Sequence, residues 1–245
     1  DLCDNGAINA AGAATWGSAV TGFRDGPDTV VSLSNSIMGG TANDNVGTTT
    51  LFFSSTITER KGIIALTNGN YLVCTLSWDN PSPAAINAGA VTWCNGAIGG
   101  VGLITPVNSL VGSSANDRVG EIVTVLSNGN YVVGSPNSNN GAITDAGAAT
   151  WGNGSTGVVG LLSTANSLMG ASVNDLVSNN LIKALPNGNY VVLSSNWNNP
   201  SPAAANAGAA TWGDGRVGIT GVVSSANSLV GTTATDIVSA NLSAT

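Results

Sequence analysis

The chain has 245 residues, of which 8% are charged, and 33 are glycine; an average soluble domain is roughly a quarter charged. With 6 basic residues and a formal charge of −7, it is a poor match for nucleic acid or an anionic membrane surface, which both need clustered Lys and Arg. No apolar run reaches the ~18 residues of a spanning helix, and the lack of any histidine removes the usual general base, the Ser-His-Asp triad and most zinc sites.

Taken in chain order, four markers recur in one sequence. Gly-Ala-Ala/Val-Thr-Trp ends at Trp16, Trp93, Trp151 and Trp212. Asn-Ser-Leu/Ile-Val/Met-Gly starts at Asn35, Asn108, Asn166 and Asn227, and an acid follows at Asp44, Asp117, Asp175 and Asp236. Asn-Gly-Asn-Tyr starts at Asn68, Asn128 and Asn187, spaced by 60 and 59 residues. A period of this size marks a repeat architecture.

One copy predicts four short strands. The β-branched run 122–126 alternates, Asn-Gly at 128–129 is a hairpin signal, and 131–134 returns as the second strand. Residues 146–151 make the third, 157–163 begin the fourth, and 166–170 carry the chain onward. Copy one departs from this plan. Trp16 to Asn35 spans 19 residues where later copies have 15, and the stretch 48–61, with Leu51-Phe52-Phe53, reads as an insertion with an extra strand. The chain starts at the third strand of copy one, while 237–245 match a first strand. The units are therefore 1–61 plus 237–245, 62–120, 121–178 and 179–236, in one repeat domain. The expected fold is all-β: a four-bladed β-propeller of ~60-residue, four-stranded blades closed by pairing the two termini. The alternative is a β-solenoid or open repeat array. The second strand of the split unit would come from the insertion or from a neighbouring chain.

Asn-Gly-Asn-Tyr-Val-Val-Gly-Ser-Pro (128–136), Ala-Gly-Ala-Ala-Thr-Trp (146–151) and Asp-Arg-Val-Gly (117–120) resemble the integrin-type FG-GAP propeller repeat. The whole unit also resembles tandem repeats of bacterial haemagglutinin- or adhesin-like surface proteins. That resemblance implies a propeller and a role in adhesion. The calcium loop usual in FG-GAP repeats is here Leu-Ser-Asn-Gly-Asn-Tyr (126–131), without a carboxylate, so no metal is expected.

The site residues follow from what the repeat does not require. The four strand tryptophans recur in every copy and read as core. The recurring acids read first as turn caps accepting backbone N–H bonds, and otherwise as one polar ligand per blade. Trp78 and Trp197 occur only in copies two and four, in Trp78-Asp79-Asn80-Pro81 and Trp197-Asn198-Asn199-Pro200. A loop Trp beside amides and a carboxylate suits a sugar platform, so these six polar and aromatic residues are the predicted ligand loops; a half-buried anchor above a Pro turn is the alternative. Cys74 and Cys94 fall on neighbouring strands, where a disulfide can form; unpaired buried thiols are the alternative. No catalytic set and no cofactor is expected. The reading is a multivalent lectin or adhesin that binds glycans or glycoproteins, secreted or at the cell surface, without membrane insertion, as a homo-oligomer or filament where units assemble. The alternatives are a structural surface repeat without a small ligand, and a secreted hydrolase with an unrecognised site.

Overall fold

The computed structural model describes residues 3–18, 22–23, 30–48 and 62–238. The extra strand expected at Leu51-Phe52-Phe53, and nearly all of the expected terminal strand over 237–245, fall outside them. Among the described residues every regular element is a strand. The chain divides into two compact units, Asp1–Gly120 with Gly154–Leu161, and Glu121–Asn153 with Leu162–Thr245.

In the first unit, repeat two forms an antiparallel sheet of Ile63–Ala65, Tyr71–Thr75, Ala90–Cys94 and Ser109–Val111. A fifth strand, Gly160–Leu161, pairs parallel to Ser109–Val111. Among the described residues the three-stranded sheet of repeat one has Ala13–Thr15 and Ser36–Met38, joined in parallel by Gly102–Leu103 from repeat two, and Gly17–Ser18 pairs with Gly22–Phe23 as a separate ribbon. In the second unit the sheet of repeat three runs Ile122–Val125, Tyr131–Ser135, Ala148–Gly152, Leu168–Met169, and its parallel addition is Gly221–Val222. Repeat four closes the second unit with Leu181–Ala184, Tyr190–Ser194, Ala209–Gly213 and Ser228–Val230, with no fifth strand among the described residues.

The expected hairpins form, but only the glycine is left-handed. Gly129 has φ of 89°, its N–H donates to Leu126 O at 3.1 Å, and Leu126 N donates to Asn130 O at 2.8 Å. This is a turn closed by a glycine bulge, not a turn with two positive-φ residues. The fourth strand also differs from the expectation. The stretch 157–163 leaves its own sheet and Gly160–Leu161 joins that of the preceding repeat, while Leu168–Met169 takes the fourth place.

Inside each sheet, Thr and Ser of two markers meet as a hydroxyl pair, Thr92 to Ser109 at 2.7 Å and Thr150 to Ser167 at 2.7 Å. Each serine then donates to the neighbouring Asn Oδ1, at 2.9 Å for Asn108 and 2.9 Å for Asn166. Buried hydroxyls are costly unless paired, which accounts for the fixed Thr-Trp and Asn-Ser dipeptides. The apolar cores run through both units: Trp78 packs with Val73, Ala90 and Val111 in the first, and Trp197 with Tyr190, Val192 and Leu168 in the second.

The Cys74–Cys94 bridge does not form. Tyr71 faces Cys94 and Cys74 faces Val91, so the two cysteines are three residues out of register and on opposite faces of the sheet. Both are free and buried. Burial pushes the Cys74 thiol up to about 12, and burial, partly offset by a hydrogen bond from Tyr71, pushes Cys94 up to about 11. Thiolate is the reactive form, so iodoacetamide at pH 8 is expected to spare both in the native protein and label both after unfolding. Mass mapping of the native sample checks this; labelling of Cys74 before unfolding would contradict the burial.

Candidate functional site

Among the described residues, a recurring polar construction forms the junction between consecutive repeats. The indole N–H of one repeat donates to a glycine carbonyl of the next: Trp16 to Gly96 at 2.8 Å, Trp93 to Gly154 at 2.9 Å, and Trp151 to Gly215 at 3.0 Å. At two junctions the hairpin turn adds two further donors. Asn68 and Asn70 Nδ2 reach Gly154 O at 2.7 and 2.9 Å, and Asn128 and Asn130 Nδ2 reach Gly215 O at 2.8 and 2.7 Å. Three N–H groups thus converge on one backbone oxygen.

The accepting segment has the form Asn/Asp-Gly-x-x-Gly-x-x-Gly-Leu/Val, at 95–103, 153–161 and 214–222. Each glycine has a separate cause. A Cβ at Gly96 or Gly215 would lie 1.7 Å from the carbonyl oxygen of Gly69 or Gly188. Gly99, Gly157 and Gly218 have φ of 75°, 78° and 77°, and a Cβ there would strike the Cβ of Trp16, Trp93 or Trp151 at 2.5 to 2.6 Å. The third glycine then enters the parallel pairing, Gly102 opposite Ile37, Gly160 opposite Leu110 and Gly221 opposite Leu168. Sequence reasoning missed this motif as a site. Its signal was the triple glycine after each Trp in copies two to four, absent from copy one.

The recurring acids complete the junction. Asp44 Oδ2 accepts from Gly40 N and Thr41 N, both at 2.8 Å, and Asp175 Oδ2 from Ala171 N and Ser172 N at 2.9 and 2.8 Å. Their other oxygens hold the following repeat, Asp44 accepting from Asp79 N at 2.9 Å and Asp175 from Asn198 N at 2.9 Å. The turn-cap role expected from sequence is thus present, extended by a bond to the next repeat. Burial raises the Asp44 carboxyl above its ordinary value of 3.8 despite hydrogen bonds from Thr41, Asp79 and Gly40. Exposed Asp236 is lowered, first by the Thr233 hydroxyl and then by backbone N–H groups. Stability contributed by Asp44 is therefore fully present below its unfolded pKa and lost as pH rises through its folded one; for Asp236 it is present above the unfolded value and lost as pH falls. A carboxyl NMR titration is expected to place Asp44 above 3.8 and Asp236 below it; the reverse order would contradict the burial of the Asp44 turn.

The predicted sugar loops are built otherwise than expected. Trp78 and Trp197 are 2% and 1% exposed, so neither ring offers a face for stacking. Copies one and three fill the place with Cys3 and Ser138; the rings are core residues of two repeats, not loop platforms. The polar neighbours pin the loops: Asp79 Oδ1 accepts from Asn87 N at 2.7 Å and Asn198 Oδ1 from Asn206 N at 3.0 Å. Asn80 Nδ2 donates to Gly112 O at 2.8 Å and Asn199 Nδ2 to Gly231 O at 2.7 Å. These four groups close a loop onto their own repeat.

A cavity of about 650 Å³ opens beside Ala13–Thr15, on the edge that no other described strand pairs and where later repeats carry a hairpin strand. Its walls include Cys3, Ala14, Trp16, Val46, Ile63 and Tyr71. Among the described residues no three or more of Cys, Asp and Glu gather as metal ligands.

No curated protein and no solved structure matches the chain. One family model does, described as a repeat of unknown function (DUF5650), at residues 3–48, 65–121, 125–179 and 184–240. This match supports the four tandem repeats and lends nothing to the FG-GAP or adhesin resemblance. The first match opens after the hairpin, in keeping with the short first sheet. Covering most of the chain in four consecutive copies, it identifies the protein as a member of the DUF5650 repeat family.

Proposed function

We propose that this protein is a structural repeat protein, an open array whose working surface is the junction between repeats and whose task is to hold a scaffold together. The observation that carries this reading is the recurrence of one junction three times, each with an indole N–H on a glycine carbonyl. Stability in such a system is roughly the sum of unit terms and nearest-neighbour terms, and here the neighbour term has dedicated chemistry. The open array is preferred to a closed propeller because the parallel addition runs from each of repeats two to four to the one before it, and among the described residues Ser228–Val230 carries no parallel strand. A lectin reading loses its main support with Trp78 and Trp197 buried and the loop amides occupied.

A glycan array on the folded chain tests this. The structural reading expects no selective binding. Selective binding of one glycan class, abolished by Asp79→Ala or Asn198→Ala, would overturn it in favour of the lectin.

A further inference from the structure

The sequence holds seven Asn-Gly dipeptides, at 5–6, 68–69, 95–96, 128–129, 140–141, 153–154 and 187–188. Asparagine before glycine is a chemically labile pair, because no Cβ on the glycine keeps its nitrogen from the side-chain amide carbon. The fold treats the seven unequally. In the three hairpins the glycine N–H is already engaged, Gly69 with Leu66 O at 3.1 Å, Gly129 with Leu126 O at 3.1 Å and Gly188 with Leu185 O at 3.0 Å. The preceding amides are held as well: Oδ1 of Asn68, Asn128 and Asn187 accepts from Asn70, Asn130 and Asn189 N at 3.1, 3.0 and 3.1 Å. Gly96 N donates to Asn70 Oδ1 at 3.0 Å, and Asn95 Oδ1 accepts from Ala97 N at 2.8 Å. Gly154 is buried, with three donors on its carbonyl.

Two pairs lack these restraints. Asn140 and Ile143 exchange backbone bonds of 2.9 and 3.1 Å, and Asn5 and Ile8 bonds of 3.0 and 3.1 Å. The two-residue turns between them open with Gly141 at φ 61° and Gly6 at φ 63°. Neither glycine N–H has an acceptor among the described residues, both glycines are exposed, and no atom lies within 4 Å of the place a Cβ would take. The side-chain amides are tied only through Nδ2 among the described residues, Asn140 to Gly170 O at 2.9 Å and Asn5 to Gly39 O at 3.0 Å. Asn80 and Asn199 stand in the same place in repeats two and four, with matching bonds to Gly112 O and Gly231 O. Pro81 and Pro200 follow them, and proline has no N–H to attack with. We infer that Asn140 and Asn5 are the sites at which the folded chain deamidates. Gly141 N bonds to Asn140 Cγ, the Cγ–Nδ2 bond breaks, and Nδ2 leaves as ammonia with the proton from Gly141 N. Water then opens the cyclic imide at either carbonyl and leaves Asp or isoaspartate. Gly6 N and Asn5 Cγ react in the same way. The product has no amide donor for Gly170 O or Gly39 O, so the turn loses its tie to its own repeat and carries a negative charge instead. Repeats one and three thus hold, at this turn, a slow water-driven change that repeats two and four are built without.

The test incubates the whole folded chain in mildly alkaline buffer and maps each Asn-Gly peptide by mass spectrometry, with fragmentation that separates Asp from isoaspartate. Asn140 and Asn5 are expected to convert at least about tenfold faster than the other five asparagines, whose turns must first break hydrogen bonds or leave a buried site. In the urea-unfolded chain the seven rates should converge. Gly141→Asn keeps a residue that accepts this φ and puts a side chain beside the attacking nitrogen. It should slow conversion of Asn140 about tenfold and leave Asn5 unchanged. Equal rates in the folded chain, or faster conversion at the hairpins, would overturn the inference. A gap that persists in urea would overturn it as well, by assigning the difference to flanking residues. An Asn140 rate unchanged in Gly141→Asn would exclude Gly141 N as the nucleophile.

Discussion

Gly215→Ala is expected to lower the free energy of unfolding by about 3 kcal/mol or more, near the upper end for a single methyl group. The added Cβ would sit 1.7 Å from Gly188 O and 2.7 Å from Gly188 C, both backbone atoms of a turn that cannot swing aside. Relief requires moving the segment, and the carbonyl of Gly215 would then leave Trp151, Asn128 and Asn130, three donors within 3.0 Å. Part of each bond is lost together with the steric cost, and unsatisfied donors add to the penalty. Gly40→Ala is the control, since the nearest contact for its Cβ is a leucine methyl at 3.9 Å; its effect should stay within about 0.5 kcal/mol. Denaturant titration of both variants decides the matter, and equal midpoints would contradict the close approach.

Trp151→Ala and Trp212→Ala should differ more than any other equivalent pair. The two residues occupy the same strand position and follow the same Ala-Ala-Thr. Trp151 is half-buried, packs against the second core and donates to Gly215 O. Its removal opens a cavity between repeats three and four and is expected to cost about 3 kcal/mol. Trp212 is 51% exposed with no acceptor among the described residues, so its removal should cost under about 1 kcal/mol. Thermal or chemical denaturation measures both. Similar losses would mean that the strand tryptophan serves its own sheet and not the next repeat.

Much of this architecture is legible in the residues. Four markers in fixed order reveal the repeat, because each has a local cause that must be met in every copy: a glycine bulge after Asn, a Thr–Ser hydroxyl pair, an Asp capping its turn. Of the strand tryptophans read as core, Trp16, Trp93 and Trp151 are half-buried and bonded to the next repeat, whereas Trp212 is 51% exposed and departs from that reading. The junction was hidden because its strand, Gly160–Leu161, is two residues long, too short for any periodicity, and pairs across repeats where local pattern has no say. Trp78 and Trp197 misled for a different reason. Their absence from two copies suggested a loop free of structural duty, yet the same place holds Ser138 in repeat three, fully buried. A core position that tolerates Trp or Ser by repacking its surroundings cannot be told from an exposed one by sequence. The cysteines failed on register. Cys74 and Cys94 do lie on paired strands, but an offset of three residues puts them on opposite faces, and register depends on where the turn begins.

The most direct test of the junction is hydrogen exchange at the indole nitrogens, followed by NMR on the native chain. The account predicts slow exchange for Trp16, Trp93 and Trp151, whose N–H groups are held on Gly96, Gly154 and Gly215, and fast exchange for Trp212. Uniformly fast exchange of all four, in a protein whose strand amides remain protected, would contradict it.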